Sequence, residues 1–306
     1  MARLSALGHV GMAFETTFGT AVAPVVYIPY NTIKVDDNVK KIVDEARRGV
    51  LTKDFNVYNA ARSGSVQIDT FCYPELLGYF LKPILSNYTT TGSAGAYTHS
   101  FQVLNALSPS LTLSDYNSIT ERQYAGAVME EVGFKFDTEN LFTVSAKYLS
   151  KGSAVATQTS PTFNTSDPFT GFQSSLTLNG TQNLNMVGGE ISIKRATQMI
   201  FAANGTADPS KYSTGRIEVT GKFTFDVEDE SEWLMYRNNT RPSVDLTFNR
   251  DDNTSIEFHI SNADFSKATI DRSGEFLRVD AEFRAFYNVA DAGMMTVTLK
   301  NNIASY

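Results

Sequence analysis

The chain has 306 residues, 42% of them hydrophobic and 19% charged, and its 26 Lys and Arg against 33 Asp and Glu give a formal net charge of −7. That balance argues against a basic groove that grips phosphates, and a single cysteine, Cys72, excludes an intramolecular disulfide. The length predicts two domains, and 21 Phe with 14 Tyr favour strands over helices.

Near the start, only Arg3 is basic after Met1, and Gly8, His9 and Gly11 interrupt a short apolar stretch, so the reading is of no secretory signal and of synthesis in a cytoplasm. No stretch is apolar enough to span a membrane as a helix. Ile33 and Val35 then lead into a segment rich in both signs: Asp36, Asp37, Lys40, Lys41, Asp44, Glu45, Arg47, Arg48, Lys53 and Asp54. Alone, it reads as a solvated surface loop. From Gly64 a strand alternates Val66, Ile68 and Cys72 inward with Ser65, Gln67 and Asp69 outward. Pro74-Glu75 opens a short helix through Leu76, Leu77, Phe80 and Leu81, and Thr89-Thr90-Thr91-Gly92-Ser93-Ala94-Gly95 reads as an added loop. A hairpin closes this half: Val128, Val132, Phe134 and Phe136 precede the turn Asp137-Thr138-Glu139-Asn140, and Phe142, Val144, Ala146 and Tyr148 follow it.

Residues 151–167 are small, polar and without periodicity, which places a joint near Ser160 and predicts domains at 1–159 and 160–306. The second half then repeats the series. Ile191 and Ile193 precede a polar stretch, and the strand 215–228 puts Ile217, Val219, Phe223, Phe225 and Val227 on one face. Asp229-Glu230-Ser231-Glu232 opens a helix carrying Trp233, Leu234 and Tyr236, and a hairpin turns at Asp271-Arg272-Ser273-Gly274. In both halves the apolar helix stripe is expected to cap the open end of a sandwich. Matching Gly64 to Gly215 gives an offset of 151, and matching the turns (Asp137 to Asp271) gives 134.

No catalytic or metal-binding set stands out. His9, His99 and His259 are far apart, and no zinc, phosphate-loop or nucleophile-elbow motif occurs. Asp251-Asp252-Asn253 reads as a hairpin turn. Neither an enzymatic activity nor a cofactor is expected.

Three stretches resemble the tail tube proteins of long-tailed, siphovirus-like bacteriophages: Glu15-Thr16-Thr17-Phe18-Gly19-Thr20-Ala21; Tyr97-Thr98-His99-Ser100-Phe101 with Pro109-Ser110-Leu111-Thr112-Leu113; and Tyr124-Ala125-Gly126-Ala127-Val128. The charged loop ending in Arg47-Arg48-Gly49, followed by a strand and a Leu-Leu-Gly helix, extends the likeness over most of the first half. The resemblance implies an all-β fold with one short helix per repeat, in two tandem β-sandwich or barrel domains. It also implies assembly into stacked rings that form a hollow conduit for DNA ejection, three two-domain chains making a pseudo-hexameric ring where one-domain members need six. The implied partners are copies of the chain itself and the terminator, tape measure and distal tail proteins, with DNA passing unbound through the virion tail. On that reading the charged loop reaches the next ring. Asp69, Glu218, Asp226 and Glu282 are the acidic candidates for the lumen, whose wall is expected to repel DNA. The alternative is a two-domain carbohydrate- or cell-surface-binding β-sandwich, left open by the 14 Tyr and the single Trp233.

Overall fold

The computed structural model describes residues 4–93, 95–103, 106–272, 274–275 and 277–306. Ala94 of the first-half loop and Ser273 of the second turn, both part of the sequence reading, lie outside the described residues. The first half contributes β1 (His9–Phe14), β2 (Val26–Ile28), β3 (Thr32–Asp44), β4 (Asn56–Phe71), α1 (Leu77–Leu85), β5 (Ser86–Ser93), β6 (Ala96–Val103), β7 (Leu111–Tyr116), β8 (Glu121–Asp137), β9 (Thr143–Ser150) and β10 (Ala154–Ala156). The second contributes β11 (Ser174–Leu178), β12 (Thr181–Asn183), β13 (Met186–Ile200), β14 (Lys211–Asp226), α2 (Ser231–Arg237), β15 (Val244–Asp251), β16 (Thr254–Ile260), β17 (Ala263–Asp271), β18 (Arg278–Ala285) and β19 (Thr296–Asn301). The fold is all-β with one short helix in each half.

Two antiparallel sheets face each other, and both cross from one half to the other. In the larger sheet β3-β4-β9-β8 of the first half continues through a β8–β13 pairing into β13-β14-β18-β17 of the second. The outer half of β8 also pairs with β7, which leads to β1 and β2. The smaller sheet runs β12-β11-β15-β16-β19-β6-β5. Alternation explains the core: Phe134 and Phe136 of β8 point down onto Phe258 and Phe248 of β16 and β15, at ring-centroid distances of 5.0 Å in both pairs. One hydrophobic cluster unites side chains of both halves.

Helix α1 buries Leu77, Phe80, Leu81, Ile84 and Leu85, the i, i+3, i+4, i+7 stripe its sequence carries, and ends at Ser86 in a left-handed conformation (φ 68°). Gly78 is required there because a Cβ would lie 2.3 Å from the ring of Tyr306. Helix α2 departs from expectation. Its one buried residue is Glu232, whose carboxylate accepts from Asn183 Nδ2 at 2.8 Å, while Leu234 and Tyr236 are exposed. It rests against β17 and β18, with Met235 as its side chain packed on the core.

Three loops of the sequence reading are strands. The charged segment from Asp36 forms the arms of a long β3–β4 hairpin, and only residues 45–55 make its tip. The polar stretch after Ile193 is the matching β13–β14 hairpin, with its tip at residues 201–210. Thr89–Ser93 lies in β5, paired to β6. The cause is common to all: most of these residues are exposed or only partly buried on both faces of their strands, so the period-two signal is weak.

The register also corrects the glycine match. Pairing β3 with β4 skips one residue after Val39 and two after Asn59; pairing β13 with β14 skips one after Arg195 and two after Thr214. Superposing these bulges equates Arg62 with Ile217 and Gly64 with Val219, four residues beyond Gly215. A second pair of bulges, at Met129/Glu131 and at Phe265/Lys267, equates β8 with β17 in the same way.

Candidate assembly surfaces

The outward face of the larger sheet is a continuous polar surface, and all four acidic lumen candidates lie on it. Following the register across strands, Gln67, Lys147, Glu131, Lys194 and Glu218 form one row, and Thr143, Lys135, Glu190, Lys222, Glu282 and Lys267 another. Charge alternates in sign along each row. Three of the four candidates have a cationic partner: Glu218 with Arg284, Asp226 with Arg278 and Glu282 with Lys267, each at 2.9 Å. Asp69 instead accepts from Thr32, Ser145 and Gln67 side chains, which hold its carboxyl below the usual range against the opposing effect of burial. This face is therefore charge-paired rather than uniformly acidic. Each exposed pair contributes only about 0–1 kcal/mol; their main consequence is a surface without a strong field of either sign.

The ten charged residues of the first hairpin divide between its arm and its tip. Asp36, Asp37, Lys40 and Lys41 lie along β3, where Asp37 accepts from the Ser153 backbone N–H at 2.8 Å. At the tip Arg48 pairs with Asp44 at 2.5 Å and stacks on Phe55, Lys53 pairs with Glu45 at 3.1 Å, and Arg47 and Asp54 are exposed. Beside them Val50 and Leu51 stand in solvent.

The second hairpin shows what such a tip does when it has a neighbour. It lies across the first half, where Arg62 donates two hydrogen bonds to the Asp208 carboxylate (2.6 and 2.7 Å) and its backbone N–H donates to the carbonyl of Ala207 (2.9 Å). Tyr212 donates to the Ser108 carbonyl at 2.6 Å and packs on Phe18. Further in, Arg195 is buried and donates to Ile84 and Ala106 carbonyls and to Ser86.

Glu15 has a role the sequence reading did not assign. Its carboxylate accepts from the backbone N–H groups of Gly19 (2.8 Å) and Gly126 (2.7 Å) and from the hydroxyls of Ser110 and Thr112 (both 2.8 Å). It thus ties the end of β1 to β7 and to the bulged part of β8. Gly126 sits at φ +65° with the Phe18 ring against it, a position without room for a side chain. The Glu-Thr-Thr-Phe-Gly string is a latch.

Among the described residues, no cluster of three His, Cys, Asp or Glu side chains is placed to hold a metal ion. His259 stands opposite Asp245 across β15 and β16 and contacts Ser261 Oγ at 2.9 Å, an arrangement visible only once that register is known. The Ser261 hydroxyl, however, donates to Asp291, so its proton is committed to a carboxylate rather than to the imidazole. Arg237 lies over the Trp233 ring at 5.3 Å, on a face that a stacked sugar would need.

His99 is buried, with Nδ1 2.8 Å from Thr90 Oγ1 and Nε2 2.9 Å from the Ile303 carbonyl. Burial lowers its pKa from the ordinary 6.5, as it does for His9, where Glu121 partly opposes the effect. The folded chain therefore binds these protons less readily than the unfolded chain does. Their contribution to stability is full above pH 6.5 and is lost as pH falls below it toward the lowered folded values. Thermal midpoints measured between pH 7.5 and 5.5 are expected to fall, with a shallower slope in His99→Gln; an equal slope would remove His99 as a cause.

No curated protein sequence matches the chain. The protein family described as "Phage tail tube protein" matches residues 5–300, nearly the whole length. The chain belongs to the phage tail tube proteins, structural and non-enzymatic components of the virion tail.

Proposed function

We propose that residues 1–159 and 160–306 are tandem tube repeats and that three chains join head to tail into a pseudo-hexameric ring. Such rings stack into the conduit for DNA ejection in a long-tailed, siphovirus-like phage. The observation that carries this reading is the β8–β13 seam. It joins the last strand of one four-strand set to the first strand of the next, and the same two edges recur free at β17 and β3. Ile191 on β13 is 1% exposed at the seam, whereas its bulge-matched counterpart on β3, Val35, is 41% exposed. A strand edge with apolar side chains invites another strand, and a heterologous contact repeated about an axis closes a ring. Copying the seam places Val35 of one chain opposite Ile270 of the next, and Lys34 opposite Asp271, which are opposite charges.

In that ring the charge-paired face, with Asp69, Glu218, Asp226 and Glu282, lines the lumen. DNA then meets a wall that neither holds it nor strongly repels it, which supports passage without specific binding. The charged side of the first hairpin, including Arg47 and Asp54, faces the adjacent ring. The terminator, tape measure and distal tail proteins meet the same ring surfaces at the two ends of the tube.

Negative-stain micrographs and native mass measurement of the purified protein test the reading: each ring should contain three chains. A strictly monomeric protein at high concentration, or rings of six chains, would sink it. For the hairpin, deleting residues 38–56 removes much of β3 with the tip, so a cleaner test replaces residues 45–54 with Asn-Gly. Circular dichroism should show an intact fold and micrographs no long tubes; tubes of normal length would remove the tip from assembly.

A further inference from the structure

We infer that the tip of the first hairpin seats its apolar side in a groove of the laterally neighbouring chain, lined by Ile217, Tyr287, Met294 and Leu107; the inference rests on the ring proposed above. Within the chain, the second hairpin's tip occupies the seam formed by Arg62 and Gly152, which lie against each other. The bulges equate Arg62 with Ile217. The β4–β9 and β14–β18 registers equate Ser150 with Ala285, and hence Gly152 with Tyr287. The corresponding seam of the second half is an open groove in which Ile217, Tyr287, Met294 and Leu107 come together, with Tyr287 60% and Leu107 57% exposed.

The chemistry of the two seams differs in a matched way. Where the first half offers Arg62 to the acidic tip residue Asp208, the second offers mainly apolar side chains at the matching position, with Arg216 beside them, and the free tip carries exposed Val50 and Leu51. Burying Leu51 against such a groove removes apolar surface on both partners from water. The occupant is therefore a second copy of this chain, and the contact runs around the ring. The hairpin tip becomes a two-sided clamp, apolar toward the lateral neighbour and charged toward the next ring.

The test uses Leu51→Cys labelled with a benzophenone maleimide; Cys72 is fully buried and escapes the label. Irradiation of the assembled protein should give inter-chain adducts on peptides containing Ile217 or Tyr287, in a gel ladder that ends at three chains. A parallel variant, Asp36→Cys with Thr269→Cys, reports the strand seam alone, since these positions match the Ser192 and Gly133 pair of β13 and β8. If that disulfide ladder ends at three while Leu51 adducts fall elsewhere or extend past three, the groove assignment is overturned and the ring stands. If the disulfide ladder is missing, the ring falls and the groove assignment with it.

Discussion

Val35→Asp is expected to leave the chain folded and monomeric while abolishing tubes. In the single chain Val35 is 41% exposed on the outermost strand of the larger sheet, so a carboxylate there remains hydrated and costs the fold little. At a closed seam the same position inherits the surroundings of Ile191, which is 1% exposed and stands opposite Phe134. An uncompensated charge buried in such a place costs about 4 kcal/mol or more, roughly a thousandfold in association at each seam. Sedimentation velocity and micrographs read the outcome, with circular dichroism as the check on folding. Ile191→Asp is the contrast: the same change at the equivalent position is expected to prevent folding, because that seam lies inside the chain. Tubes at ordinary yield from Val35→Asp would show that β3 is not a ring edge.

The contrast between these two positions also explains what the sequence could and could not reveal. Val66, Ile68, Phe223 and Phe225 were legible because one face of their strands meets the opposing sheet, which imposes period two on the residues. The hairpin arms from Asp36 to Asp44 and from Asn56 to Ser63 were not, because neither of their faces is covered within the chain and they carry polar or apolar residues on either face. The repeat was visible as an order of elements, but its register was hidden: glycines marked it wrongly by four residues, whereas bulges, which leave no residue signature, mark it consistently. Asp69, Glu218, Asp226 and Glu282 each fall on the polar side of their own strand, as alternation implied; that these sides form one face follows from the pairing. Their neutralisation by Arg284, Arg278 and Lys267 is a cross-strand property and needs the pairing.

Phe248→Ala tests whether the two halves stand or fall together. Phe248 of β15 is fully buried and stacks on Phe142 of the first half at a centroid distance of 3.9 Å and an interplanar angle of 6°, with the edge of Phe136 at 5.0 Å. Truncation removes the ring from water-free surroundings and leaves a cavity, a loss of about 3–5 kcal/mol, part of it from the stack itself. Since whole domains are stable by only about 5–15 kcal/mol, this should lower the urea midpoint sharply. The Val35→Asp background removes any contribution from assembly to the measured stability. Trp233, the single tryptophan, reports the second half, while far-ultraviolet circular dichroism reports both. Because Phe142 and Phe248 belong to one core cluster, the two signals should shift together and remain coincident. A tryptophan transition that moves alone, with part of the strand signal surviving to the original midpoint, would mean that each repeat folds on a core of its own. The proposed ring would then be a chain of six separable units rather than three fused pairs.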